Sequence, residues 1–511
     1  MIVKAISFVL LGIDAHPITV EVDLSPGLPL FATVGLPDIA VRESKDRIKA
    51  AIKNSGYPFP GHRVTVNLAP ADIRKEGTAF DLPVAVAILA AQNLLPGAAL
   101  GRYLIVGELS LDGAIKGIRG ALAAAFQAKS LGLDGVICPS ENAVEAALVD
   151  GIAVLPAERL DQVVEHLGGR LTIAPLRIDA EEIFRSRRDY PIDFSDIQGQ
   201  ALARRALEIA AAGGHHLLMI GPPGAGKTML AQRLVTIMPE LTLPEAIEVT
   251  QIYSAAGLLN RQEGLLATRP FRAPHHTISD AGLVGGGQPP RPGEISLAHQ
   301  GVLFLDELPE FRKNTLESLR QPMEEGKVAI VRAAARATYP ARFLLLSAMN
   351  PCPCGYFGDR TRPCRCTPQQ IRQYQGRISG PLLDRIDIHI EVPPVPYRDL
   401  AQGCPGETSA AIRRRIATAR QIQSRRQSDD DAPQYNARLT EGQIRKFCVI
   451  DGESRQLLEM AMDKLGMSAR AHQRVLKVAR TIADLEGCPA ITPSHVAEAI
   501  QYRALDRRFV W

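Results

Sequence analysis

A short apolar run, Leu217 to Ile220, leads directly into Gly221, Pro222, Pro223, Gly224, Ala225, Gly226, Lys227 and Thr228, and the helix-compatible stretch Met229 to Met238 follows. Strand, glycine loop and helix in that order make a phosphate cradle. Glycines let backbone N–H groups converge on phosphate oxygens where a Cβ would clash. On this reading Lys227 reaches the β- and γ-phosphates, Thr228 ligates Mg²⁺, and the helix N-terminus favours the anion. A chance glycine-rich turn is the alternative, and the flanking strand and helix count against it. Farther along, Val302 to Leu305 is a second apolar run, ending in Asp306 and Glu307. A carboxylate at the C-terminal end of a buried strand faces the ligand crevice. Asp306 suits the Mg²⁺ water shell, and Glu307 suits the base that orients an attacking water. The two motifs together predict hydrolysis of ATP assisted by Mg²⁺.

A different chemistry is open to the cysteines. Cys352-Pro-Cys354 and Cys364-Arg-Cys366 put four of the eight cysteines on one stretch, 352–366. Four thiolates on one loop could form a tetrahedral zinc site with Zn–S bonds of about 2.3 Å, structural in kind because no coordination position stays open. Most zinc knuckles use C-x₂-C, so free thiols in a structured loop remain the alternative. Cys138, Cys404, Cys448 and Cys488 have no partner at ligand spacing and read as core or surface thiols.

Two basic segments could grip a phosphate backbone. Arg269-Pro-Phe-Arg-Ala-Pro-His-His-Thr277, followed by the glycine- and proline-rich 285–293, reads as an exposed insertion. Val328 to Phe343 carries Arg332, Arg336 and Arg342 among apolar residues, the pattern of a hairpin that could line a pore with positive charge. Ordinary solvated surface is the bland alternative for both. His275 and His276 lack a third ligand at suitable spacing, so polar loop contacts are expected of them.

The elements that must position these groups follow from periodicity. A chain of 511 residues exceeds one hydrophobic core. Its 46% hydrophobic and 22% charged content excludes fibrous and wholly disordered classes, and a net charge of +4 permits a polyanionic partner without demanding one. Sparse cysteines argue against a disulfide scaffold and for a reducing, cytoplasmic setting. The apolar start Ala5 to Ile13 reads as a first strand. The longest apolar stretch, Leu82 to Leu100, is broken by Pro83, Gln92, Asn93 and Pro96, so no membrane span is expected. Strand-like runs alternate with alanine-rich helical runs over 1–175, giving an α/β domain. The charged stretch 176–194 reads as a surface linker. A second α/β unit with buried parallel strands covers 195–395, and a small helical domain covers 396–511, with a polar gap at Ser424 to Gln434.

The glycine loop, the paired acids and the trailing helical domain resemble AAA+ ATPases. That resemblance implies that Asn350, at the end of Phe343 to Ala348, senses the γ-phosphate. It also implies that Arg385, in Pro381-Leu-Leu-Asp-Arg-Ile-Asp387, is an arginine finger inserted by a neighbouring subunit. Arg470 is similar to the lid arginine of such proteins, with Arg474 one turn on as its rival. A finger acting in trans requires an oligomer, and the resemblance implies a ring, usually of six.

Taken end to end, the chain resembles the ComM/YifB family of magnesium-chelatase-like AAA+ ATPases. The match rests on 221–228, 269–277, 301–307, Asn350-Pro-Cys-Pro-Cys-Gly355 and Ala479-Arg-Thr-Ile-Ala-Asp-Leu485. It implies a cytoplasmic homo-hexamer on single-stranded or branched DNA, a helicase promoting branch migration during natural transformation. The front domain is similar to the proteolytic domain of Lon-type proteases, a ribosomal S5 domain 2-like α/β fold, around Lys75 to Asp81 and Gly107 to Gly113. A Ser-Lys dyad is not expected, because Ala79 and Leu122 occupy the dyad positions and Thr78 and Lys116 fall out of register. Three readings stay in view: a DNA-translocating ATPase, a chelatase-type motor remodelling a protein partner, and an ATP-dependent protease disfavoured by the missing dyad.

Overall fold

The computed structural model describes residues 2–505 except 189, 261–263, 288–289, 333–334, 360–361, 396–405 and 427–434. Cys404, the acidic run 429–431 and the 395/396 boundary therefore lie at or outside the described residues, as does the Arg332 side chain.

Alternating apolar residues shape the front of the chain. Ile2–Leu11 and Asp14–Ser25 form an antiparallel hairpin with Leu11 opposite Asp14, turning at Gly12 with a left-handed φ of 71°. The hairpin sits in a seven-stranded sheet ordered Phe31–Val34, Arg63–Ala69, Asp14–Ser25, Ile2–Leu11, Tyr103–Ile105, Gly135–Pro139, Ala153–Ala157. Helix Asp81–Ala91 is buried on every side, which explains an apolar run long enough to raise the membrane question. Among the described residues no helix is long and apolar enough to cross a membrane.

The stretch 176–194, expected to be a plain surface linker, contains helix Ala180–Ser186 with Phe184 buried. Arg188 lies 4.1 Å over the Phe184 ring and pairs with Glu240 at 2.7 Å. Charge count misled here because a guanidinium can lie over an aromatic face and pair with a carboxylate at the same time.

The motor half is a five-stranded parallel sheet ordered Phe271–Arg272, Val302–Leu305, Leu344–Met349, Leu217–Ile220, Ile388–Glu391. Its three central strands are buried along their whole length, as parallel strands covered by helices on both faces must be. Lys327–Arg332 pairs antiparallel with Ala335–Pro340 as the expected hairpin. Helices Ser409–Arg426, Glu441–Phe447, Gly452–Leu465, Ala469–Leu485 and Pro493–Gln501 close the chain and share an apolar core with the sheet. Helix Leu243–Ala256 joins the two halves: Ala246 packs in one cluster with Leu122 and Phe184, and Gln251 Nε2 donates to Ile13 O at 2.9 Å.

Candidate nucleotide site and the arginine cleft

All strands of the motor sheet point the same way, so their carboxyl ends gather the first set of residues. Gly221 follows Ile220, and a Cβ there would lie 2.2 Å from Val392 O. Gly224 and Gly226 take left-handed φ values of 79° and 81°, open to glycine without cost. Helix Lys227–Ile237 starts immediately after, its N-terminal N–H groups facing the loop. Lys227 is nearly buried, and its Nζ donates to Gly221 O at 2.7 Å, Pro222 O at 3.0 Å and Asn350 Oδ1 at 3.1 Å. Burial pulls the ammonium below its ordinary pKa, while Asp306 and Glu307 push it back up. An ammonium satisfied by loop carbonyls alone is a poor resting place for a buried charge. A triphosphate is the better partner for it, so the cradle fits ATP.

Thr228 Oγ1 donates to Asp306 Oδ2 at 3.0 Å, bringing a hydroxyl and a carboxylate together as an oxygen pair suited to Mg²⁺. Glu307 is held at a left-handed φ of 52°, and its N–H donates to Asp306 Oδ1 at 2.8 Å. A non-glycine residue in that region is strained and re-aims its side chain. Its carboxylate meets His276 Nδ1 at 3.4 Å. The His276 ring also packs edge-on to Phe311 and 4.0 Å from His275. His275 makes the polar loop contact expected of it, Nδ1 to Thr277 Oγ1 at 2.9 Å, but His276 reaching an acid of the site was not legible. Gln200, also missed, turns at a φ of 48° and donates from Nε2 to Ala225 O at 2.7 Å.

The opposite, amino ends of the same strands border a cleft of about 440 Å³ rich in cations, among them Arg342, Arg385, Arg438, Arg474 and Lys477. Arg385 Nη2 pairs with Glu324 at 2.7 Å, and Nη1 donates to Pro381 O at 2.8 Å. Arg474 is tied to the buried Asp387 carboxylate, which also accepts from His216 N at 3.1 Å and lies 3.4 Å from His215 Nδ1. Burial works to raise the Asp387 pKa, yet Arg474 and the two histidines hold it well below the carboxylate range. Arg470 sits exposed in the first turn of helix Ala469–Leu485. Of the two rival lid arginines, Arg474 is the one beside Arg385.

Cys352, Cys354, Cys364 and Cys366 converge, their sulfurs all within 4.8 Å of one another. Burial pushes the Cys352 thiol up to about 12, whereas backbone N–H groups of Arg365 and Tyr356 draw Cys354 down to about 6. Cys138 and Cys448 are buried.

The basic segments divide. Arg269, expected on an exposed insertion, is buried and donates to Pro239 O, Gln300 O and Glu240 O. Arg272 forms a two-pronged pair with Glu294 at 2.6 and 2.7 Å. Both are structural, and the reason is invisible in composition: arginine satisfies several buried carbonyls at once. Arg342 belongs to the cleft. On the hairpin, Arg336 and its cross-strand partner Val331 are exposed. In the front domain Ala79 and the buried Leu122 offer no nucleophile or base, and the Thr78 hydroxyl is engaged by Glu108.

A phosphate cradle at the carboxyl edge of a parallel sheet, paired acids two strands over and a helical lid define a P-loop ATPase of AAA+ build. Family models for the magnesium chelatase subunit ChlI match residues 193–400, with a further ChlI model on 20–142 and the ChlI C-terminal model on 406–503. The chain is 46% identical to YifB of Escherichia coli K12 over 502 residues, covering 98% of this chain and 96% of that protein. It is also 46% identical to the competence protein ComM of Haemophilus influenzae over 501 residues, 97% and 96% of the two chains. The magnesium-chelatase 67 kDa subunit of Chlorobaculum parvum is 27% identical over 168 residues, 31% of this chain and 23% of that one. The chain belongs to the ComM/YifB family of magnesium-chelatase-like AAA+ ATPases.

Proposed function

We propose that the protein couples ATP hydrolysis to movement on DNA as a ring of identical subunits, in which two adjacent copies make the smallest complete catalytic unit. The observation that carries this is the separation of two half-sites. Lys227, Thr228, Asp306, Glu307 and Asn350 lie at the carboxyl edge of the sheet, whereas Arg385 and Arg474 lie at the amino edge. Strands of four to six residues span roughly 13–20 Å, so one chain does not bring its own arginines to its own triphosphate. A second copy does, and closed repetition of that head-to-tail contact makes a ring; six is the number the family resemblance suggests.

In this reading Gly221 to Thr228 hold the phosphates with backbone N–H groups, and Lys227 moves from the loop carbonyls to the β/γ-phosphates. Thr228 and Asp306 hold Mg²⁺ and its water, which supplies charge neutralisation at the phosphates. Glu307 orients the attacking water and Asn350 contacts the γ-phosphate. Arg385, with Arg474 in preference to Arg470, stabilises transition-state charge from the neighbour.

DNA is proposed as the polymer on three grounds: the exposed Arg336 and Val331 of the hairpin, the link from Glu307 through His276 to the basic segment 269–277, and likeness to a protein named for competence. A cation beside an apolar side chain suits a strand's phosphates and bases. Branch migration during recombination in natural transformation, in the cytoplasm, is the physiological setting we infer. Units at 1–175, 195–395 and 396–511, joined through 176–194, would supply assembly or DNA binding, motor and lid in turn. Likeness to the magnesium-chelatase subunit supports a second reading, remodelling of a protein partner. ATP turnover measured without DNA, with single-stranded DNA and with branched DNA, beside Lys227→Ala, separates them. Stimulation by DNA is expected. Equal rates in all three, with the variant inactive, would leave an ATPase and remove the DNA reading.

A further inference from the structure

The cysteine loop lies against the phosphate loop, and neither nucleotide chemistry nor DNA contact accounts for its four converging sulfurs. Cys352 and Cys354 Sγ are 3.4 Å apart, Cys352 and Cys364 3.7 Å, and Cys354 and Cys364 3.6 Å. A disulfide needs about 2.05 Å, so these pairs are not bridges. A tetrahedron with metal–sulfur bonds of about 2.3 Å has sulfur–sulfur edges of about 3.8 Å, close to the spacings found. The four sulfurs leave room for one ion and none for a polynuclear cluster. Backbone donors face the sulfurs as they do in such sites: Phe357 N to Cys352 at 3.3 Å and Cys366 N to Cys364 at 3.4 Å. A closed set of four soft ligands selects zinc over hard cations.

The loop's position gives the site a consequence. Gly355 takes a φ of 86°, and a Cβ there would lie 2.5 Å from Pro223 Cδ and 2.8 Å from its Cγ. The turn between the two cysteine pairs thus seats directly on the phosphate loop. On its other side it continues from Asn350, which receives the Lys227 ammonium, and Gln375 Nε2 anchors Pro351 O at 3.0 Å. We propose that Cys352, Cys354, Cys364 and Cys366 bind one zinc ion per chain, and that this ion braces the turn against Pro223 and holds the phosphate loop and Asn350 in their nucleotide-receiving shape. The coupling half of this proposal rests on the ATPase reading above; the metal half does not.

The test uses the full chain. Elemental mass spectrometry of the purified protein is expected to find about one zinc per chain, with the four cysteines protected from alkylation. The double variant Cys364→Ser/Cys366→Ser is expected to lose the zinc and to bind a fluorescent ATP analogue with Mg²⁺ about tenfold more weakly, whereas Cys448→Ala, outside any cluster of potential ligands among the described residues, changes neither. Because the double variant could misfold, zinc is also released from the wild type with an organomercurial, followed by a zinc-sensitive dye. Retained circular dichroism and the same loss of affinity are expected. Gly355→Ala separates the halves: it should keep its zinc and still weaken nucleotide binding. Metal far below one per chain with freely alkylated cysteines, or iron in place of zinc, overturns the site. Zinc release that leaves nucleotide affinity within about twofold overturns the coupling. A zinc-loaded wild type that binds no nucleotide overturns the ATPase reading and the coupling together, while the metal site stands on its stoichiometry.

Discussion

The two edges of the motor sheet differ in almost every respect. The carboxyl edge is built from a few short runs, glycine-rich and closed on itself: Lys227 is satisfied by its own loop and Asn350, and Thr228 by Asp306. The amino edge is assembled from Arg385, Asp387, Arg474 and residues between, drawn from the sheet and the lid, and it carries more cationic than anionic side chains. One edge is a finished cradle for an anion; the other is a set of cations with too few anions of its own. The difference is what the proposed function rests on: there, the partner of the second edge is a copy of the first.

The comparison breaks most sharply at Arg385. Arg385→Ala should lower ATP turnover on the order of 10³-fold while leaving nucleotide affinity within about twofold, read by steady-state kinetics beside equilibrium binding. Loss of binding as severe as loss of turnover would place Arg385 in its own chain's cradle.

Asp387 sharpens the comparison from beneath, since it holds Arg474 rather than a phosphate. Asp387→Asn should destabilise the fold by about 3 kcal/mol at pH 7, seen as a lowered Tm. The carboxyl's folded pKa is depressed, so its contribution is fully present above the unfolded value of about 3.9 and is lost as pH falls through the folded one. The Tm gap between variant and wild type should therefore be constant from pH 5 to 8 and narrow below about pH 4. A gap that widens in acid would contradict the assigned charge.

His276 probes the carboxyl edge. With its Nδ1 beside Glu307, His276→Ala should reduce turnover about tenfold, less than the roughly 10²–10⁴-fold of losing a general base itself because His276 only positions Glu307, and leave ATP affinity unchanged. The smallest effect is expected at the hairpin: Arg336→Ala should lower DNA stimulation several-fold and reduce the slope of log affinity against log salt by about 1, without altering basal turnover.

How much of this the sequence disclosed depended on contiguity. The strand, loop and helix order around Gly221 to Thr228 and the strand that ends at Asp306-Glu307 were legible because each is one run following an apolar strand; the roles of these residues at a nucleotide remain our proposal. The helical third unit and most front-domain strands were legible from periodicity alone. Asp387 holding Arg474 was not, because the partners lie 87 positions apart and only the packing of lid on sheet joins them. His276 was set aside for want of a metal, when its partner was a carboxylate on another strand. Arg269 was read as a free cation because composition does not show backbone carbonyls. The cysteines were legible as a group, but their closing distances and their seat on Pro223 were not.

Subunit mixing tests the central claim most directly. Lys227→Ala has a dead cradle and an intact finger; Arg385→Ala has an intact cradle and no finger. Each alone should be nearly inactive. Mixed under conditions where co-purification of differently tagged chains proves joint assembly, the two should recover a substantial part of wild-type ATP turnover, because some interfaces then pair a working cradle with a working finger. Joint assembly without any recovery would contradict a site completed by the neighbouring copy.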